Sequence, residues 1–291
     1  MGNINDRNKI DRKEALIQYM IDMEIQKYKY KYEYTPEQLH DILLLARTLI
    51  KTTYQQQSRE NEEISLSIII TYFLESLMAL KSDKITDYYK EKLKNITISR
   101  DSSLDFNDGR ADFSYCFNGE NKYEILLPSG KLTFDNEMTY AHEMGHIPEL
   151  DLPRDSYLEY QEVIPIFMEY LILLRKYGSL NAKDCFIKER IPMDIEHAHN
   201  IKYFYKDCNS TLGVPRLYAQ QELIDSYKYL ESTEFVLNLI DIMSKDKKKV
   251  RSELEDYIDG KSLIDTSIDL GIDTSGCKKL LKEYQSIGKR Y

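Results

Sequence analysis

The chain has 291 residues, 42% of them hydrophobic and 31% charged, with a net charge of -9. That length and balance describe one or two folded domains with a sizeable core and exclude a disordered chain. The acidic surplus argues against a nucleic-acid partner; Lys247 to Arg251 (KKKVR) is locally basic but reads as the solvated end of a helix.

In chain order, the opening MGNINDRNKIDRKE is charged where a secretory signal would be apolar. Asp6 stands where a myristoylation signal needs Ser or Thr. In Glu14 to Ile25, Leu16, Ile17, Met20, Ile21 and Met23 recur at close to helical period. Thr35-Pro36-Glu37 is a cap followed by proline in a first turn, and predicts a helix through about Tyr54. Further helices are expected over Glu62 to Ala79 and Asp83 to Leu93. The pattern then changes. Asn95 to Arg100, Ala111 to Phe117 and Lys122 to Leu127 are short, β-branched and aromatic, and separated by Asp, Asn and Gly. They predict a small antiparallel sheet.

Helical patterns return at about 136–147, 160–177, 193–206, 216–243, 247–258 and 275–287, with Gly178, Gly213, Gly260 and Gly271 between them. No stretch of about 18 apolar residues occurs. Ile68 to Leu80 and Ile164 to Leu174 come nearest, and each is broken by polar residues. Cys116, Cys185, Cys208 and Cys277 are widely spaced, lack a C-x-x-C pair, and read as reduced thiols. The expectation is a mainly α, cytoplasmic protein with no membrane partner and a small sheet beside its central helix. An N-terminal helical region, 1–95, precedes a second domain, 96–291.

The segment with chemical content is Thr139-Tyr-Ala-His-Glu-Met-Gly-His146. On a helix, His142 and His146 lie one turn apart on one face, so both imidazoles can reach one Zn²⁺ ion. Glu143 then adjoins the position of a metal-held water and can act as its general base. This is the H-E-x-x-H arrangement. The bland alternative is a pair of ordinary histidines on a helix. With histidine only at His40, His142, His146, His197 and His199, chance would produce the pattern in roughly one per cent of such sequences or fewer. A catalytic zinc site takes a third protein ligand. Glu162 is a candidate because Pro165 must lie in a first turn or at a kink, which puts Glu162 at the start of the next helix. Glu149, Asp151 and Glu159 compete on distance alone. Glu169, seven residues after Glu162, shares its face and is placed to accept a hydrogen bond from a ligand histidine.

Four stretches also resemble, in order, the family of zinc metallopeptidases grouped around oligoendopeptidase F and thimet oligopeptidase. They are Gly109 to Phe117 (GRADFSYCF), Tyr123 to Thr133 (YEILLPSGKLT), Ala141 to His146 (AHEMGH) and Glu162 to Glu169 (EVIPIFME). The segment Val250 to Asp273 is similar to the family's last segment, so the likeness spans about residues 100–290. The resemblance implies a helical zincin-like catalytic core with one zinc ion. His142, His146 and Glu162 would be its ligands, Glu143 the base and Glu169 a support. It also implies a late helix that assists the transition state, where only Tyr227 and Tyr229 match, Tyr229 the better. The function expected is a zinc-dependent metalloendopeptidase acting on short peptides. Because no histidine follows His199, the alternative is a catalytically weak, zinc-containing peptide-binding or regulatory protein on the same scaffold. A helical interaction protein with fortuitous histidines is the third reading.

Overall fold

Ser65 accepts a hydrogen bond from the Ile68 backbone N–H, and Ser82 accepts one from that of Ile85. These caps open helices α1 (Leu66–Leu77) and α2 (Asp83–Leu93) in the computed structural model, satisfying N–H groups that a first turn leaves without helical partners. The structure describes residues 63–102, 115–117, 123–151, 162–208, 213–274 and 277–287. The helices expected before residue 55, and residues 111–114 of the expected middle strand, lie outside them. A short 3₁₀ turn, Met78–Leu80, follows α1 and ends at Lys81 in the left-handed conformation, φ 54°.

Three strands follow: β1 (Ile96–Asp101), β2 (Tyr115–Phe117) and β3 (Tyr123–Pro128), in the order β1-β3-β2. The sheet is not purely antiparallel, which corrects the expectation from sequence. β2 runs antiparallel to β3, with Tyr115 opposite Ile125 and Phe117 opposite Tyr123. β1 runs parallel to β3, from Ile96 opposite Tyr123 to Asp101 opposite Pro128. A short connection can join an antiparallel pair, whereas a parallel pair needs a long one. In sequence, residues 102–122 separate β1 from β3. Tyr123, Ile125 and Leu127 of β3 point into the core at the period of two of a strand.

The remaining helices among the described residues are α3 (Phe134–Asp151), α4 (Val163–Cys208), α5 (Gly213–Lys245), α6 (Lys247–Ile258), α7 (Leu263–Leu270) and α8 (Lys278–Ile287). β3 packs against α3. Phe73 of α1 sits edge-on to both Tyr89 of α2 and Tyr140 of α3, at ring-centroid distances of 5.3 and 5.8 Å, geometry that aromatic pairs favour. α4 is two helical runs broken at Gly178, where φ is 74° and ψ 167°. That backbone region is open almost only to glycine. The runs fold back on one another, because Tyr170, eight residues before the break, packs edge-on to Phe186, eight after it, at 5.9 Å. Helix over residues 179–192 and helix α7 extend what the sequence pattern predicts. Lys247 to Lys249 form the exposed first turn of α6. Cys185 and Cys277 are free thiols; the side chains of Cys116 and Cys208 lie outside the described residues.

The described residues within 63–192 and 228–287 group into one compact unit, and those within 193–227 into another. The change of sequence character at residue 95 falls inside the first. Among the described residues no helix is long and apolar enough to cross a membrane.

Candidate metal centre

Helix α3 starts with a reciprocal cap. The Thr133 backbone N–H donates to the Asn136 side chain at 2.8 Å, and the Thr133 carbonyl accepts from Asn136 and Glu137. Tyr140, Ala141, Met144 and Ile147 are buried. His142 and His146 keep 12% and 22% of their side chains exposed, one turn apart, with ring centroids separated by 5.1 Å. Gly145 lets α3 cross close over the start of α4. A Cβ there would stand 2.5 Å from the Pro165 Cα and 2.6 Å from its nitrogen.

That crossing delivers the acidic partner. The Glu162 carbonyl accepts from the Ile166 N–H at 3.0 Å, so Glu162 occupies the cap position just ahead of α4. Pro165 costs nothing there, because first-turn N–H groups have no helical acceptor. From this position, with 3% exposure, Glu162 sends Oε2 to 3.2 Å from His142 Nε2 and 3.7 Å from His146 Nε2. One donor atom from each of the three residues lies within 4.8 Å of the others.

His142 Nδ1 lies 2.7 Å from Glu169 Oε1. Arg190 donates through Nη1 to both Glu169 oxygens, at 3.0 and 3.1 Å. A carboxylate accepts only, so Nδ1 carries a proton toward Glu169, and Nε2, 3.2 Å from the Glu162 carboxylate, either carries a second proton or presents its lone pair to a cation. Two lone-pair atoms 3.2 Å apart repel unless a proton or a cation lies between them. The site therefore attracts positive charge. Burial alone would lower the His142 pKa, but its bonds to Glu162 and Glu169 push it up to about 10. Burial opposes ionisation of Glu169, yet Arg190 and the His142 bond hold its carboxyl below the usual range. Glu143 is buried beside them. Desolvation raises its pKa to about 7, against the attraction of His142 and with the repulsion of Glu162 and Glu169. Two imidazole nitrogens and a carboxylate oxygen are the donor set of a divalent transition metal, and the three residues present fit one.

Of the residues singled out from sequence, the structure brings His142, Glu143, His146, Glu162 and Glu169 together. The Tyr229 ring lies over the Arg190 guanidinium, 5.4 Å from centroid to Cζ. Tyr227, like His197, His199 and Tyr218, lies on a described helix with its side chain outside the described residues. So does Glu149; Glu159 is outside altogether. Arg190 was not anticipated, and its signal was present. In the helix after Gly178, Ala182, Phe186, Ile187 and Ile191 form a buried stripe at helical spacing, and Arg190, 6% exposed, falls on it. A charged residue on such a stripe needs a buried partner. Comparison with protein-family models, curated proteins and solved structures finds no match. A mainly helical unit with a His₂Glu donor set, its glutamate buried and its histidines half-buried, backed by a Glu–Arg pair, is the class of site that fold and geometry define.

Proposed function

We propose that this chain is a zinc-dependent metalloendopeptidase that hydrolyses peptide bonds in short peptides, with a zincin-like helical core. The observation that carries this reading is that one donor atom from each of His142, His146 and Glu162 lies within 4.8 Å of the others, with Glu143 buried nearby. The likeness of its motifs to the oligoendopeptidase F and thimet oligopeptidase family supports the same reading.

His142, His146 and Glu162 hold the ion. Zinc, when bound, polarises the scissile carbonyl and acidifies water. Glu143 accepts the proton of the attacking water on its carboxylate and passes it to the leaving amine. Burial suits it to both tasks, because a raised carboxyl pKa brings acid and base forms closer to balance near neutral pH. Glu169 keeps the proton of His142 on Nδ1, which frees Nε2 for the ion. Tyr227 or Tyr229 supplies a hydrogen bond to the oxyanion.

The test is Glu143→Gln with a quenched fluorescent peptide. The variant keeps one zinc and loses peptidase activity by several orders of magnitude, since proton transfer is removed while the ligands stay. Cleavage at the wild-type rate refutes the mechanism. The absence of histidine after His199 favours a second reading, a catalytically weak zinc-containing peptide-binding or regulatory protein. A wild-type chain that binds zinc and peptide but does not cleave would establish it.

A further inference from the structure

His142 is held on two sides. Its Nε2 faces Glu162, and its Nδ1 donates to Glu169 Oε1 at 2.7 Å. Bound at one oxygen only, a carboxylate swings freely about its last torsion, and a swing of Glu169 would carry the His142 ring with it. Arg190 removes that freedom, because Nη1 sits between the two carboxylate oxygens at 3.0 and 3.1 Å. The guanidinium is itself constrained. Arg190 is buried on the same stripe of its helix as Phe186, Ile187 and Ile191, and the Tyr229 ring lies over its guanidinium.

We infer that Arg190 is a positioning residue for the metal centre: it fixes the Glu169 carboxylate, which fixes the His142 ring, which aims Nε2 at the ion. The inference rests on reading His142, His146 and Glu162 as metal ligands. It differs in sign from the plain alternative, in which Arg190 only neutralises a buried glutamate. Removing a mere neutraliser makes the site more negative and holds a cation as tightly or more tightly. Removing a positioning residue lets the ligand stray and weakens the ion's hold.

The experiment measures zinc dissociation constants on the full chain by competition with a chromogenic chelator, with circular dichroism confirming the fold. The chains compared are wild type, Arg190→Met, Glu169→Gln and the double variant. Arg190→Met weakens zinc binding by about 10–100-fold, the range for loss of an outer partner of a metal ligand. In the Glu169→Gln background the same replacement changes the constant by no more than about twofold, because the route through Glu169 is already cut. Zinc held by Arg190→Met as tightly as by wild type overturns the inference, and so does an equal loss in both backgrounds. If Arg190→Met does not fold, the double variant, which removes both members of the buried pair, still decides. Its zinc affinity matches that of Glu169→Gln if Arg190 acts through Glu169, and a further tenfold loss refutes it. A wild-type chain that binds no zinc overturns the metal reading itself, and is recognised before any variant is compared.

Discussion

Replacing Gly145 by alanine tests the close crossing that brings Glu162 to the two histidines. The added Cβ would lie 2.5 Å from the Pro165 Cα, 2.6 Å from the Pro165 nitrogen and 3.0 Å from the Ile164 carbonyl carbon. Non-bonded carbons settle at about 3.5–4.0 Å, so α3 and the first turn of α4 must part by about 1 Å. All three obstructing atoms are backbone, so no rotamer change relieves the contact. Alanine gains about 0.8–1.0 kcal/mol over glycine inside a helix, while overpacking of this kind costs about 1–3 kcal/mol or more. The clash wins. Melting should fall, by about 2–4 °C for each kcal/mol of net loss in a domain of this size. The larger effect is on metal binding. Glu162 precedes Pro165 by three residues on the same turn and moves with it, and zinc–oxygen bonds are only about 2.0–2.2 Å long. Zinc affinity should drop by more than the about 10–100-fold that loss of an outer partner produces. Thermal denaturation in chelator, followed by zinc titration of the folded variant, measures both. A variant that melts at or above the wild-type temperature and binds zinc equally well refutes the crossing.

Glu162→Ala should release zinc to a competing chelator that leaves the wild-type chain loaded, whereas Glu159→Ala should not; equal zinc content in Glu162→Ala and wild type moves the ligand elsewhere. Replacing Tyr227 and Tyr229 singly by Phe separates hydroxyl from ring. An oxyanion donor lost in this way lowers kcat by about 10²–10³ with little change in KM, and two variants that turn over like wild type place the donor elsewhere, with Tyr218 and His199 the next to replace.

The pairing of His142 with His146 was legible because its information is local: residues four apart on a helix face the same way whatever surrounds them. Pro165, which fixes where a helix can begin, made Glu162 a candidate, but Glu149, Asp151 and Glu159 competed with it on distance, and the family resemblance was what favoured it. Arg190 was less legible. Its pattern with Ala182, Phe186, Ile187 and Ile191 is plain once residues 179–192 are known to be helical, but its partner Glu169 is 21 residues away. The two meet because the chain reverses at Gly178, and a glycine shows that a break is possible without showing which way the chain leaves it. The parallel pairing of β1 with β3 is likewise a choice of partner and direction between distant segments, which strand composition does not encode. Helix α7 did carry local signs, a Ser262-x-x-Asp265 cap and Gly271 in the left-handed conformation at its end. Its eight residues are too few for periodicity to reveal it.

Charge counting gives a prediction about the loss of the ion. Glu143, Glu162 and Glu169 are at most 9% exposed, and Arg190 offsets Glu169. Two buried carboxylates remain, so a divalent ion on His142, His146 and Glu162 closes the balance. Without it the folded chain must bury uncompensated charge, at a cost of several kcal/mol per ion, or take up protons in its place. The unfolded chain escapes both penalties in water, so zinc should favour the folded state. Zinc at a free concentration of 100 times its dissociation constant should add about 2.7 kcal/mol. That corresponds to roughly 5–10 °C in melting temperature. Magnesium at the same concentration should add little, because it prefers oxygen ligands and octahedral geometry. Glu143→Gln should keep the zinc-dependent rise and Glu162→Ala should lose it, since only the second removes a ligand. A melting temperature indifferent to zinc in the wild-type chain would mean that the buried carboxylates are balanced by protons and that the site holds no metal.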